Sequence, residues 1–135
     1  MTTEEKAYIA GIIDGEGTVT LTSDHKGELP APKVSIANND LALLNWIKEK
    51  AGSGVIITRS KRQPHHGEQY VLDFSNNSAL ALLSEVEGYL RIKKPQARLL
   101  LSGYKTVTPR NGKYTGDLLA AKMRLVAEIR SLNRH

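Results

Sequence analysis

Two hydrophobic periods alternate along the chain. Tyr8, Ile9, Ile12 and Ile13 recur at helical spacing behind Thr2 and Glu5, which stand in the relation of a capping box. A helix is therefore expected over residues 3–14, stopped by Gly15 and Gly17. Residues 18–22 alternate polar and apolar, as do residues 33–36 after a turn-rich stretch, so a hairpin of two half-buried strands follows. Asn38, Asn39 and Asp40 offer capping side chains for a helix carried by Leu41, Leu43, Leu44, Trp46 and Ile47 up to Gly52-Ser53-Gly54. A third strand is expected over residues 55–61, a turn over 62–67, and a fourth strand over 69–74. Residues 75–78 can cap a helix built on Leu80, Leu83 and Val86. Pro95 suits the first turn of a helix reaching residue 104, residues 108–116 form a loop, and Leu118 to Leu132 mark a last amphipathic helix.

This order is helix-strand-strand-helix followed by strand-strand-helix. Two hairpins that each feed a helix predict an α+β domain in which an antiparallel four-stranded sheet carries helices on one face, with C-terminal helices added. The 135 residues contain no linker and no low-complexity segment, so one domain over 1–135 is expected.

Alternation also assigns the two faces of the sheet. Val19, Leu21, Val34, Ile36, Tyr70, Leu72 and Phe74 point to the helices. Thr20, Thr22, Asp24, Lys33, Ser35, Arg59, Gln69 and Asp73 point away, with Ile57 and Val71 as apolar tips. A polar open face is ordinary for such a sheet. The same mixture of donors, acceptors and apolar tips is also what reading base edges requires.

Charge adds to that second possibility. Nineteen Lys and Arg stand against fourteen Asp and Glu, a net +5. From Gly88 onward there are eleven basic residues and only two acids, Asp117 and Glu128. Arg59-Ser60-Lys61-Arg62 forms a second basic group, and Lys26 sits in the first hairpin turn. Clustered charge of this kind suits phosphate contact. Without cysteine there are no disulfides and no thiolate metal sites. No apolar run is long enough for a membrane span, and the N-terminus has no signal-like pattern, so a soluble protein of the cytoplasm or an organelle matrix is expected. His65-His66 lacks partner ligands, Asp14-x-Glu16-Gly17 lacks the later acids of a calcium loop, and Gly52-Ser53-Gly54 lacks the lysine of a phosphate loop. No small-molecule site is indicated.

The informative segment is Tyr8-Ile9-Ala10-Gly11-Ile12-Ile13-Asp14-Gly15-Glu16-Gly17. Apolar, small and acidic residues close a helix, and a strand follows at once. This resembles the LAGLIDADG signature, with Ile9 and Ile12 in leucine positions, Gly15 for alanine and Glu16 for the second acid. Val34 to Asp40, the Leu-rich helix and Gly-x-Gly resemble the same family, as does Tyr89-Leu90-Arg91-Ile92-Lys93-Lys94-Pro95-Gln96-Ala97. One motif followed by two hairpin-helix units and a basic C-terminus is the layout of the homodimeric homing endonucleases.

The resemblance implies a saddle-shaped sheet and an intron-encoded, site-specific nuclease. Such an enzyme binds a long pseudo-palindromic double-stranded DNA site as a homodimer and hydrolyses one phosphodiester bond in each strand with divalent metal. It places Glu16 and the Gly15 carbonyl on the metal, which the oxygen donors indicate to be Mg²⁺. Mn²⁺ would substitute, and Ca²⁺ would bind without supporting cleavage. Asn38 falls where a polar residue positions the hydrolytic water, with Asn39 as the alternative. Lys93 falls on the catalytic basic position, with Lys94 as the alternative. Asp14 is expected to close the helix-to-strand turn. Tyr8, Ala10, Gly11 and Ile12 would form the dimer contact, since small residues let two helices approach. The DNA-facing set would be the open-face residues with Lys26, Lys61 and Arg62. Leu41, Ala42 and Pro95 depart from basic residues found in some members. A protein on the same fold that only binds, as a DNA-binding regulator or an RNA intron maturase, is the alternative.

Overall fold

The computed structural model describes residues 1–59 and 68–134. Lys61, Arg62 and the turn expected over 62–67 lie outside the described residues. Helix α1 spans Thr3–Glu16, and its capping box forms: Glu5 N donates to Thr2 Oγ1 at 3.1 Å, and Thr2 N to Glu5 Oε1 at 2.7 Å. It runs two residues past the expected end at Asp14. Gly15 stays helical, and the break falls at Gly17, where a Cβ would come within 2.9 Å of the Ile13 backbone.

Strands β1 (Gly17–Thr22) and β2 (Ala31–Asn38) form the first hairpin. Helix α2 (Leu41–Ala51) starts at Asp40, whose carboxylate accepts from Leu43 N at 3.0 Å. Strand β3 (Val55–Arg59) and strand β4 (Gln69–Ser75) come next. Gly54 enters β3 at φ +111°, and a Cβ there would meet Leu72 and Phe74 at about 3 Å, so glycine is required twice over. Helix α3 spans Asn77–Val86. Its expected cap is not used: Asn76 sits at φ +55° with no capping side-chain bond, while its N–H donates to Pro32 O at 2.9 Å. Helices α4 (Lys94–Gly103) and α5 (Gly116–Leu132) complete the chain.

The sheet is antiparallel throughout, in the order β1-β2-β4-β3. Its covered face sets Val19 beside Val34 and Phe74, and Ile36 beside Leu72 and Ile56. Ile9 and Ile13 of α1, Leu44 and Ile47 of α2, and Leu83 and Val86 of α3 pack against that face with no exposure. Each such aliphatic side chain contributes roughly 1.5–3 kcal/mol on burial. Helices α4 and α5 pack on each other and on β1. Among the described residues no helix is long and apolar enough to cross a membrane.

Within that second layer, Lys122 of α5 is 1% exposed. Its ammonium donates to Thr108 Oγ1 at 3.1 Å and to the Tyr114 hydroxyl, and lies 4.6 Å from the centre of the Tyr104 ring. The connection between α4 and α5 is thereby tied down onto the domain.

Candidate metal centre and nucleic-acid interface

Helix α1 ends against the end of β2. Asn38 has the parity of Val34 and Ile36, so it belongs to the covered face, the side on which α1 lies. Its Nδ2 donates to Glu16 Oε2 at 2.6 Å, and its Oδ1 accepts from Asp40 N at 2.7 Å. Asn38 is thus fixed at one end by the α2 cap and at the other holds the motif carboxylate. Asn39 is exposed.

Asp14 does something other than close the helix-to-strand turn. Its carboxylate accepts three backbone N–H groups, from Arg91 at 2.8 Å, Ile92 at 3.1 Å and Lys93 at 2.9 Å. It therefore grips the connection into α4, and Lys93 Nζ returns to the Asp14 carbonyl at 3.3 Å. Lys94 Nζ points elsewhere, to Gly88 O at 3.4 Å. The last turn of α1 thus has Asn38 bonded to Glu16 and Lys93 bonded to Asp14.

The donor chemistry suits a hard cation. Glu16 is exposed, the last turn of α1 contains no basic residue, and its final carbonyls have no helical donor ahead of them. Gly15 supplies one of those carbonyls. Among the described residues no three His, Cys, Asp or Glu side chains gather in one chain. The chain offers a carboxylate and a carbonyl here, which is part of a coordination shell for an ion that takes six or more oxygens.

The exposed face of α1 differs from the expected one. Tyr8 is 54% exposed, Gly11 is exposed with open space where a Cβ would be, and Ile12 is half-buried. Ala10 has no exposed surface and belongs to the domain core, so it is removed from the contact set. The small residue facing outward is Ala7, which stands four before Gly11 and eight before Gly15. That spacing was the available signal. Tyr8 packs edge-on against Trp46 of α2, with ring centres 5.5 Å apart.

The open face of the sheet is organised in cross-strand rows. Thr20 and Lys33 pair with Ser75 beyond them; Thr18, Ser35, Asp73 and Val55 form the next row; Ala37, Val71 and Ile57 the next; Gln69 and Arg59 the last described. Thr22 continues the face, and Lys26 is exposed in the β1–β2 turn. Val71 is on the expected side but only 6% exposed, because Ala37 and Ile57 flank it across the strands; it is not an accessible tip. Val55, 61% exposed, was missed and joins Ile57 as an exposed apolar side chain on this face.

Lys33 lies between two acids, with Nζ 2.8 Å from Asp24 Oδ1 and 3.6 Å from Asp73 Oδ2. Ser35 Oγ donates to Asp73 Oδ1 at 2.6 Å. The hydrogen bond from Lys33 holds the Asp24 carboxyl below its ordinary range. The same bond raises the Lys33 ammonium, against a smaller opposing effect of burial.

No family model matches the sequence, and no curated protein matches it at the level of sequence. Solved structures do match. The homing endonuclease I-CvuI, in complex with the I-CreI target in the presence of Mg with the DNA not cleaved, superposes with a TM-score of 0.77 at 18% identity, covering 98% of this chain and 83% of that one. The archaeal intron-encoded homing endonuclease I-Vdi141I, complexed with DNA, gives 0.71 at 22% identity over 97% of this chain and 85% of that one. The LAGLIDADG meganuclease I-AabMI, bound to uncleaved DNA, gives 0.70 at 20% identity, covering 90% of this chain but 43% of that one. The chain has the fold of the LAGLIDADG homing endonucleases.

Proposed function

We propose that the protein is a LAGLIDADG homing endonuclease that acts as a homodimer and makes a metal-dependent cut in each strand of a long DNA site. The observation that carries this reading is that the last turn of α1 holds both Glu16, bonded by Asn38, and Asp14, bonded by Lys93, at the point where the chain enters β1. The stripe of Ala7, Tyr8, Gly11 and Gly15 is the contact surface for a second copy, bringing the two helix ends and their carboxylates together about a two-fold axis. The single LAGLIDADG-like segment in this sequence supports pairing with a second copy.

Glu16 and the Gly15 carbonyl of each copy would hold divalent cations, Mg²⁺ by the hardness of the donors. When bound, such ions lower the pKa of water and stabilise the leaving oxygen of an in-line phosphodiester displacement. Asn38 keeps the Glu16 carboxylate in one orientation and offers its amide to the attacking water. Lys93, held by Asp14, places a positive charge beside the phosphate as negative charge develops there. The sheet face, with Lys26, follows the major groove of one half-site, so the target is pseudo-palindromic.

The test is cleavage of a randomised duplex library by wild type and Glu16→Gln, alongside sedimentation of the protein with and without DNA. Wild type should sediment as a dimer and cut a small set of related sites in Mg²⁺, while Glu16→Gln binds those sites intact. Selective binding without any cleavage by wild type would make the protein a regulator or maturase on the same fold. A monomer on DNA would overturn the dimer.

A further inference from the structure

Two carboxylates on a surface that meets a polyanion require a reason. Phosphate contact favours lysine and arginine, yet Asp24 and Asp73 both face Lys33 on the open side of the sheet, so the cluster carries more negative charge than positive. A carboxylate has one attractive partner in the major groove, the exocyclic amine of a base; cytosine N4 is the usual case, as guanine O6 and N7 are for lysine.

The spacing fits one base pair. In G·C the O6 acceptor and the N4 donor lie side by side, hydrogen-bonded to each other at about 2.9 Å. Lys33 Nζ and Asp73 Oδ2, 3.6 Å apart, offer the complementary order of donor and acceptor. The bonding capacities agree. An ammonium has three donors, Asp24 takes one at 2.8 Å, and the separation to Asp73 is too long for a good hydrogen bond. Two donors are left for O6 and N7. Asp73 Oδ1 is occupied by the Ser35 hydroxyl, which fixes the carboxylate plane, while Oδ2 keeps its lone pairs. The two side chains are only 23% and 15% exposed, so they are held rather than free to swing. An A·T pair offers thymine O4 and adenine N6 in the same order, but it gives lysine a single acceptor beside a methyl group.

Resting on the DNA-binding role proposed above, we propose that Lys33 and Asp73 together read one G·C pair in each half-site. Lys33 bonds the guanine, Asp73 accepts from N4 of the paired cytosine, and Ser35 is the positioning residue for Asp73. Asp24 orients Lys33 from the turn between β1 and β2.

The experiment selects bound duplexes from a randomised library in Ca²⁺ with wild type, Lys33→Met and Asp73→Asn, each first checked for a cooperative thermal transition. Binding is then measured on duplexes carrying each of the four base pairs at the implicated position. Wild type should fix one G·C pair per half-site, and both variants should lower that preference by roughly tenfold or more, leaving the other positions unchanged. A site without that pair, an A·T pair in its place, or a loss spread evenly over all positions would overturn the assignment and leave the DNA-binding role standing. No enrichment of any sequence by wild type would remove the DNA-reading role itself, and this assignment with it.

Discussion

Replacing Asp14 by asparagine tests whether the first acid of the motif holds the connection into α4. The wild-type carboxylate accepts from Arg91 N at 2.8 Å through Oδ2, and from Ile92 N at 3.1 Å and Lys93 N at 2.9 Å through Oδ1. Asparagine keeps one oxygen. Its amide nitrogen either faces the Arg91 N–H, donor against donor, or turns and exposes the other two. At least one bond to a charged acceptor is lost, at about 1.5–3 kcal/mol, and the survivors fall to neutral strength, at about 1 kcal/mol each. Asp14 is partly exposed, so the sum is about 2–4 kcal/mol. An opposing effect exists. A carboxylate at a helix C-terminus is unfavourable by about 0.3–1 kcal/mol, and asparagine removes that penalty. The hydrogen bonds outweigh it. Urea unfolding at pH 7 should show the loss, and the melting temperature should fall by on the order of 10 °C. A variant within about 0.5 kcal/mol of wild type, the scatter of ordinary surface substitutions, would refute the clamp.

Two further outcomes follow from the charged groups. Lys122→Ala should cost about 2–5 kcal/mol through the lost aliphatic stem, whereas Lys122→Met should stay within about 1.5 kcal/mol of wild type; equal losses in denaturant melts would mean that the ammonium, not the stem, holds the layer. Asp24 titrates below its ordinary 3.8 in the folded protein, so its contribution is present above that value and disappears as pH falls through the lowered one. Lys33 titrates above its ordinary 10.5, so its contribution is present below that value and fades as pH rises through the raised one. The Asp24 side chain is half exposed, and solvent screening keeps the pair under about 1 kcal/mol. Asp24→Asn should therefore be slightly less stable than wild type at neutral pH, and the gap should close in strong acid; a gap that widens there would contradict the pairing.

Element order and strand faces were legible because period 2 and period 3.6 separate cleanly over residues 17–38 and 69–86. Helix α1 is the exception that matters. Tyr8, Ile9, Ala10, Ile12 and Ile13 spread apolar or small side chains around most of its circumference, so no polar face orients it. Only tertiary packing decides that Ala10 turns inward and Ala7 outward. Val71 shows a different limit. Alternation gives the side of the sheet, but exposure also depends on cross-strand neighbours, which register alone reveals. The Asp14 clamp spans 77 to 79 residues of sequence and leaves no local trace.

The division of labour between the two motif acids was nonetheless present in their spacing. Residues two apart on a helix are separated by about 200° around its axis. Asp14 and Glu16 must therefore leave the last turn of α1 on opposite sides. One side meets the connection into α4 and the other the end of β2, and each carboxylate finds its partner there, Arg91 to Lys93 for the first and Asn38 for the second. A spacing of three or four would have placed both on one face, as a repelling pair with no grip on Lys93. Gly15 between them adds no side chain to the outer stripe, and Gly17 lets the chain turn at once into β1, where the open face starts. A single helical turn thus positions an acid, a lysine and the first strand of the sheet.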